Sequence, residues 1–258
     1  MTHASMSNKV LISGATGDTG RAAVREAIAL GLGVRAMVHN RDARSEALET
    51  LGAEVVFGDL LEIDTVRAAM EGTDAAYLVW PVAPGLIHVT VNFAQAAKEA
   101  GVSTAINPPQ RSANRFSTSH SCRDSFIAEQ VLNWSGLPVI HLRPTYFLEW
   151  LLYPWQLPYP RQGILRMPVG KGRHSPIAAD DQGRVIAALL KSPDGPHWED
   201  DSSLRSGRDG PRADSGGTHR GTRAQDCLSG SADRRILPFA GGDGRSALHR
   251  AASRWGHG

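Results

Sequence analysis

Gly14, Gly17 and Gly20 fall at regular spacing in Ser13-Gly14-Ala15-Thr16-Gly17-Asp18-Thr19-Gly20, between a β-rich run and a helical one. A turn of this kind suits a dinucleotide pyrophosphate. The first glycine permits the sharp turn, the second leaves room for phosphate oxygens, and the third lets the helix pack against the strand. Free backbone N–H groups of this turn, whose Ala15, Thr16, Asp18 and Thr19 complete the expected cofactor site, then face the negative charge together with the positive end of the helix dipole. The end of the second strand selects between dinucleotides. An Asp or Glu there would hold a ribose 2′-hydroxyl and repel a 2′-phosphate. Here His39 takes that place, followed by Asn40, Arg41, Asp42, Ala43 and Arg44. A guanidinium meets a phosphate through paired hydrogen bonds, so NADP(H) is the expected cofactor. Asp42 and the modest charge of His39 leave NAD(H) as a second cofactor, and a solvated basic loop is the plain alternative. Asp59, in Gly58-Asp59-Leu60, is expected to accept from an adenine amino group with Leu60 against the ring; a helix cap is its competing role. Trp80-Pro81 is expected beside the cofactor.

Alternating strands and helices must hold these residues. Short β-like runs at 9–13, 34–38, 55–57, 75–79, 104–106 and 139–142 alternate with helical patterns at 19–30, 45–51, 65–70, 89–100 and 126–134. Gly31, Gly52, Gly72, Gly101 and Gly136 each close a helical run just before the next strand. The alternation predicts right-handed βαβ units, hence an α/β, doubly wound parallel sheet of the Rossmann type. Residues 1–145 are read as the dinucleotide-binding domain. A short helix over 146–153, a loop through Pro154, Pro158, Pro160 and Pro168, and a helix over 176–190 are expected beyond it. These make 146–197 a substrate-pocket region, a small C-terminal lid packed on the sheet.

Of 28 Lys and Arg and 26 Asp and Glu, ten Arg, seven Asp and one Glu follow His197. The preceding residues balance at 18 of each sign, without the basic stripe that nucleic-acid binding requires. The chain is 41% hydrophobic, enough for a sizeable core. Cys122 and Cys227 lack metal-ligand spacing and suit a reduced, cytoplasmic protein. The polar start up to Lys9 does not read as a signal peptide, and Met6 is an alternative start. No apolar run approaches the roughly 20 residues of a membrane helix; Glu149, Pro154 and Gln156 interrupt the most apolar stretch, 148–157.

Five segments together resemble the NmrA-like branch of the short-chain dehydrogenase/reductase superfamily, over about residues 9–191. They are the glycine turn, Gly58-Asp59-Leu60, Ala128-Glu129-Gln130-Val131-Leu132, Leu142-Arg143-Pro144-Thr145 and Glu149-Trp150-Leu151-Leu152. The resemblance implies either NADPH-dependent reductases of quinones, azo dyes and triphenylmethane dyes, or regulators that bind NADP and catalyse nothing. It also implies a superfamily Tyr-xxx-Lys pair at the start of the helix that holds Ala128 and Glu129. Those positions are Ser121 and Ser125. Asn107-Pro108-Pro109-Gln110 lacks the usual serine of the fifth strand end, although Ser112 is near. Carbonyl reduction to an alcohol needs a proton donor beside the oxygen, so that reaction is not expected and no catalytic residue is assigned.

A quinone or azo acceptor asks for less, because conjugation spreads the incoming charge and water can deliver the proton. The protein then mainly positions nicotinamide against a flat partner. Tyr146, Phe147 and Trp150, with Trp155, are expected to line a pocket for a small aromatic acceptor; core packing is the competing role. His88 and His174 are candidate proton donors, with surface or loop roles in competition. The expected function is an NAD(P)H-dependent reductase of an azo compound or quinone. The alternative is a non-catalytic NADP(H) sensor that binds a protein partner.

From Trp198 onward Val, Lys, Tyr, Met and Asn vanish, and Gly, Arg, Ser and Asp dominate without periodicity. A disordered tail is the ordinary reading. A frameshift near His197 is the other: reading possible codons for 198–232 from their second base yields a strand, a turn, an amphipathic helix and a strand. The encoding DNA distinguishes the two.

Overall fold

Val10 and Ile12 point to one face of the first strand, β1 (Lys9–Ile12), and Leu11 to the other; all three are at most 2% exposed. A strand buried on both faces needs helices on both, and that need sets the architecture. The structure, a computed structural model, describes residues 8–165 and 175–193 together with the backbone of 237–238. Six strands form a parallel sheet in the order β3 (Glu54–Phe57), β2 (Gly33–Val38), β1, β4 (Ala75–Tyr77), β5 (Thr104–Asn107), β6 (Val139–His141). This is the doubly wound α/β fold expected from the alternation.

Val10, Ile12 and Val34 pack with side chains from α1 (Asp18–Ala29), α2 (Ala43–Thr50) and α7 (Ala179–Lys191). On the opposite face Leu11 and Met37 meet Val66 and Met70 of α3 (Ile63–Met70), Phe93 of α4 (Leu86–Glu99) and Leu132 of α5 (His120–Trp134). The two faces thus have separate cores, and the alternation along each strand keeps them apart.

α7 closes the first face although Gly183 stands in its middle. Glycine costs about 1 kcal/mol there relative to alanine. Burial of Ile186, Leu189 and Leu190 contributes about 1.5–3 kcal/mol for each side chain and outweighs it. The glycine is required by packing: a Cβ on Gly183 would lie 2.5 Å from Ala22 Cβ and 2.7 Å from the Ala22 carbonyl carbon. The seam between α1 and α7 also carries Arg25 Nη2 donating to Asp180 (3.2 Å) and Lys191 Nζ donating to Leu30 O (2.8 Å).

Several boundaries depart from the periodic reading. α5 starts at His120 rather than 126, because Ser121, Cys122, Asp124 and Ser125 break the apolar rhythm while their helix is fixed by tertiary contacts. α7 starts at Ala179 rather than 176, since Ile177 is extended and bridges Phe147. The expected helix over 146–153 is a 3-10 helix at Leu148–Leu152, and one further turn, α6 (Pro158–Arg161), follows it. β7 (Ile164–Leu165) pairs antiparallel with β8 (Leu237–Pro238). The remainder of the 198–258 tail lies outside the described residues, as do Pro168, His174 and Cys227. No helix among the described residues is long and apolar enough to cross a membrane.

Replacing Gly183 by Val should force α7 off α1 and lower stability by about 1–3 kcal/mol, read as a lower urea midpoint at unchanged slope. A variant as stable as the parent would rule out the close seam.

Candidate cofactor and acceptor site

The strand order reverses between β1 and β4, so a crevice opens at the carboxyl ends of these strands. Ser13, directly after β1, ties them together. Its N–H donates to Tyr77 O (3.0 Å), and its Oγ accepts from Val79 N (2.9 Å). Gly14 then takes φ +55°, and a Cβ there would stand 2.5 Å from Val79 Cγ1. A Cβ on Gly20 would stand 2.3 Å from Gly14 O, so α1 meets the turn backbone to backbone. Gly17 differs: its Cβ would touch only Gly14 O, at 3.3 Å, and would otherwise fill the space outside the turn. No side chain caps α1, so its first N–H groups lack intrahelical acceptors. A cradle that a Cβ would fill, lined by free N–H groups, fits a pyrophosphate.

Ala15 is buried, and its N–H donates to Met37 O (3.3 Å). Thr16, Asp18 and Thr19 are half-buried around the turn. Below them Tyr77 OH donates to Thr19 Oγ1 at 3.5 Å. Burial pushes the Tyr77 phenol up to about 12, so it stays a neutral donor.

Beyond β2, His39 is exposed, with Nδ1 3.9 Å from Asp59 Oδ2. Asp42 accepts from Arg44 N (2.9 Å) and Ser45 N (3.1 Å), while Ser45 Oγ accepts from Asp42 N (3.0 Å). This capping box starts α2 and fixes the loop. Asp42 thereby serves the fold, and the Arg44 guanidinium is bound to it (2.6 Å). Arg41 reaches further out, 3.2 Å from Glu49 Oε1 and 5.4 Å above the Phe57 ring. Arg41 and His39 are both exposed in this loop and are the groups expected to meet a 2′-phosphate.

Asp59 Oδ1 accepts from Leu61 N (2.9 Å), a local turn, and Oδ2 faces His39. Leu60, expected against an adenine ring, is 7% exposed and packs with Val66, Val89 and Phe93. Its side chain belongs to the core beneath the crevice. Trp80 is half-buried in the loop after β4, its Nε1 donating to Pro84 O (3.3 Å).

After β6, Arg143 clamps buried Glu129 through Nε (2.7 Å) and Nη2 (2.5 Å), fixing the chain that leads to the expected acceptor residues. Tyr146 and Trp150 then stand 6.3 Å apart with tilted rings, and Phe147 is half-buried beside them. Two contacts hold this segment that its sequence does not announce. Glu149 Oε1 accepts from Ala179 N (3.0 Å) and so caps α7. Tyr153 OH donates to Asp18 Oδ2 (3.4 Å), joining the aromatic segment to the glycine turn; burial and then the Asp18 charge raise its phenol. Trp155, exposed, meets Tyr153 edge-on. His88 is exposed on α4.

Ser121 and Ser125 occupy one side of α5 and share a partner. Gln110 Nε2 donates to Ser121 Oγ and, at 3.2 Å, to Ser125 Oγ. Among the described residues no group of His, Cys, Asp and Glu could hold a metal ion.

A parallel sheet of this order with a glycine cradle at its switch point defines a dinucleotide-binding α/β protein. The chain belongs to the NAD(P)H-binding family, whose profile matches residues 14–193. It is 29% identical over 184 residues to the NAD(P)H azoreductase of Xenophilus azovorans, an alignment covering 71% of this chain and 64% of that protein. The chain therefore spans somewhat under two thirds of that relative's length. Its fold resembles the triphenylmethane reductase of Citrobacter sp. complexed with NADP(H), at 18% identity and TM-score 0.61, covering 70% of this chain and 65% of that one. It also resembles the NADPH-dependent quinone oxidoreductase of Escherichia coli complexed with NADPH, at 21% identity and TM-score 0.62, covering 73% and 66%.

Gly17→Ala should weaken NADPH binding at least about tenfold, a loss of about 1.4 kcal/mol, while the free protein keeps its melting temperature; unchanged affinity would remove the cradle from the binding site. Arg41→Ala should cost about tenfold in NADPH affinity, the scale of one charge-assisted hydrogen bond, and leave NADH affinity unchanged. Equal losses for both cofactors in fluorescence titrations would mean that Arg41 does not read the 2′-phosphate.

Proposed function

We propose that the chain is an NADPH-dependent reductase of a small conjugated acceptor, an azo compound or a quinone, with NADH as a weaker second cofactor. The observation that carries this reading is the Tyr153–Asp18 contact at 3.4 Å. It couples the segment bearing Tyr146, Phe147 and Trp150 to the turn that fits the pyrophosphate. When bound, the reduced nicotinamide supplies hydride. The protein's part is to hold a flat acceptor in register and to shield it from water. Serines at positions 121 and 125 fit an acceptor whose conjugation absorbs charge better than they fit an isolated carbonyl. Relatives named for azo, triphenylmethane and quinone reduction support the same acceptor class. The compartment we assign is the cytoplasm, in keeping with the free, buried thiol of Cys122.

Serine at position 121, where the superfamily carries tyrosine, favours one competitor, an NADP(H) sensor without turnover. Loss of NADPH absorbance with a panel of quinones and azo dyes, measured beside NADPH binding, separates the two. Oxidation that depends on the acceptor is expected. Tight binding with no turnover on any acceptor would replace the reductase by the sensor.

A further inference from the structure

His141 closes β6 opposite Asn107, the last residue of β5, and the two are register partners. Both nitrogens of its ring are engaged, and the partners fix which one carries the hydrogen. Asn107 Nδ2 can only donate, and it stands 3.2 Å from His141 Nδ1, so Nδ1 accepts. Asn133 Oδ1, in the last turn of α5, can only accept, and it stands 3.0 Å from Nε2, so Nε2 donates. The ring is therefore neutral, with its hydrogen on Nε2. It ties two adjacent strands to the helix that connects them.

Of the two contacts, the inner one depends on charge. Asn107 is buried, whereas Asn133 is exposed. A proton on Nδ1 would set a ring N–H against the amide hydrogens of Asn107, two donors with no acceptor between them. The charged groups that act on the ring are Glu129 on α5 and Arg143 beyond β6; β5, Thr104-Ala105-Ile106-Asn107, carries none. Glu129 already accepts two hydrogen bonds from Arg143. Burial of the ring pushes His141 below the usual histidine value of 6.5; Glu129 opposes this and Arg143 adds to it. From this point the loops leaving β5 and β6 run side by side. Leu142 N donates to Asn107 O (2.9 Å) and Arg111 N to Pro144 O (3.3 Å), just before Tyr146.

We propose that His141 is a pH-sensitive clasp between β5, β6 and α5: neutral, it holds Asn107 and Asn133 together; protonated, it gives up Asn107 and loosens the loops at 107–111 and 141–146. The clasp stands whether or not the chain turns over an acceptor. A ring held neutral in the fold gives stability that is complete above 6.5, where the unfolded chain also leaves it neutral. That stability is lost as the pH falls from there through the lower folded value. The clasp therefore opens on the acid side only.

Long-range 1H–15N spectra of the labelled full chain, recorded from about pH 8 to about pH 5, read the ring directly; His141→Gln assigns the signal. The parent should show the Nε2–H tautomer at neutral pH and a midpoint below 6.5. An Nδ1–H tautomer, or a midpoint at or above that value, overturns the proposal. Asn107→Asp keeps the shape but offers Nδ1 only acceptors, so the midpoint should rise by about one pH unit or more. An unchanged midpoint would mean that Asn107 does not hold the ring. Amide hydrogen exchange reads the loops. Protection at 107–111 and 141–146, relative to β1, should fall up to about tenfold per pH unit between 6.5 and the midpoint. In His141→Gln it should stay level. Protection that ignores pH in the parent, or falls equally in His141→Gln, overturns the clasp. Should either variant fail to fold, the parent's tautomer, midpoint and protection still decide.

Discussion

Backbone contact between Gly14 and Gly20 fixes where α1 begins, and most of the site follows from it. A methyl group at Gly20 would overlap the Gly14 carbonyl, so only glycine allows the helix to start this close to the strand. α1 in turn presents Ala22 to Gly183, again with no room for a side chain. α7 is thereby placed, and its first N–H is capped by Glu149 from the segment that carries the aromatic rings. Tyr153 closes the circuit by returning to Asp18. One close approach of two backbones thus sets the cradle and, through three further contacts, the aromatic face above it.

The loop after β2 depends on a different balance. Asp42 is committed to the α2 capping box and to Arg44, which removes one negative and one positive group from the solvent side. What remains outward is Arg41, held in place by Glu49 and Phe57, and His39 beside Asp59. These exposed ion pairs are individually weak, of the order of 0–1 kcal/mol. A 2′-phosphate can therefore displace them at small cost, while the box keeps the loop in shape.

The loop after β5 and the start of α5 are organised without an acid–base pair. Gln110, Ser112, Ser121 and Ser125 form a neutral network in which each amide hydrogen is used. Buried networks of this kind hold their members in one orientation because an unpaired group would cost about 1–3 kcal/mol. The Glu129–Arg143 clamp on the same helix does similar work for the chain leaving β6.

The sequence by itself determined the parallel sheet, its helices and the glycine turn after β1, because these rest on local facts: period, glycine spacing and apolar runs short enough to be strands. It also located the Arg41 loop, which follows directly from β2. Element ends were less legible where polar residues hide a helix, as at 120–125, or where a residue is extended by pairing, as at Ile177. The burial of Leu60 was not legible in its own segment, because its neighbours in space, Val89 and Phe93, come from another helix. Only the tertiary structure decided that Tyr153 reaches Asp18, that Glu149 caps α7 and that Gln110 holds two serines of α5. Those partners are separated by 10 residues or more in the chain. Hydrogen bonds between such segments leave no period in the sequence; they exist only once packing has brought the strand ends together.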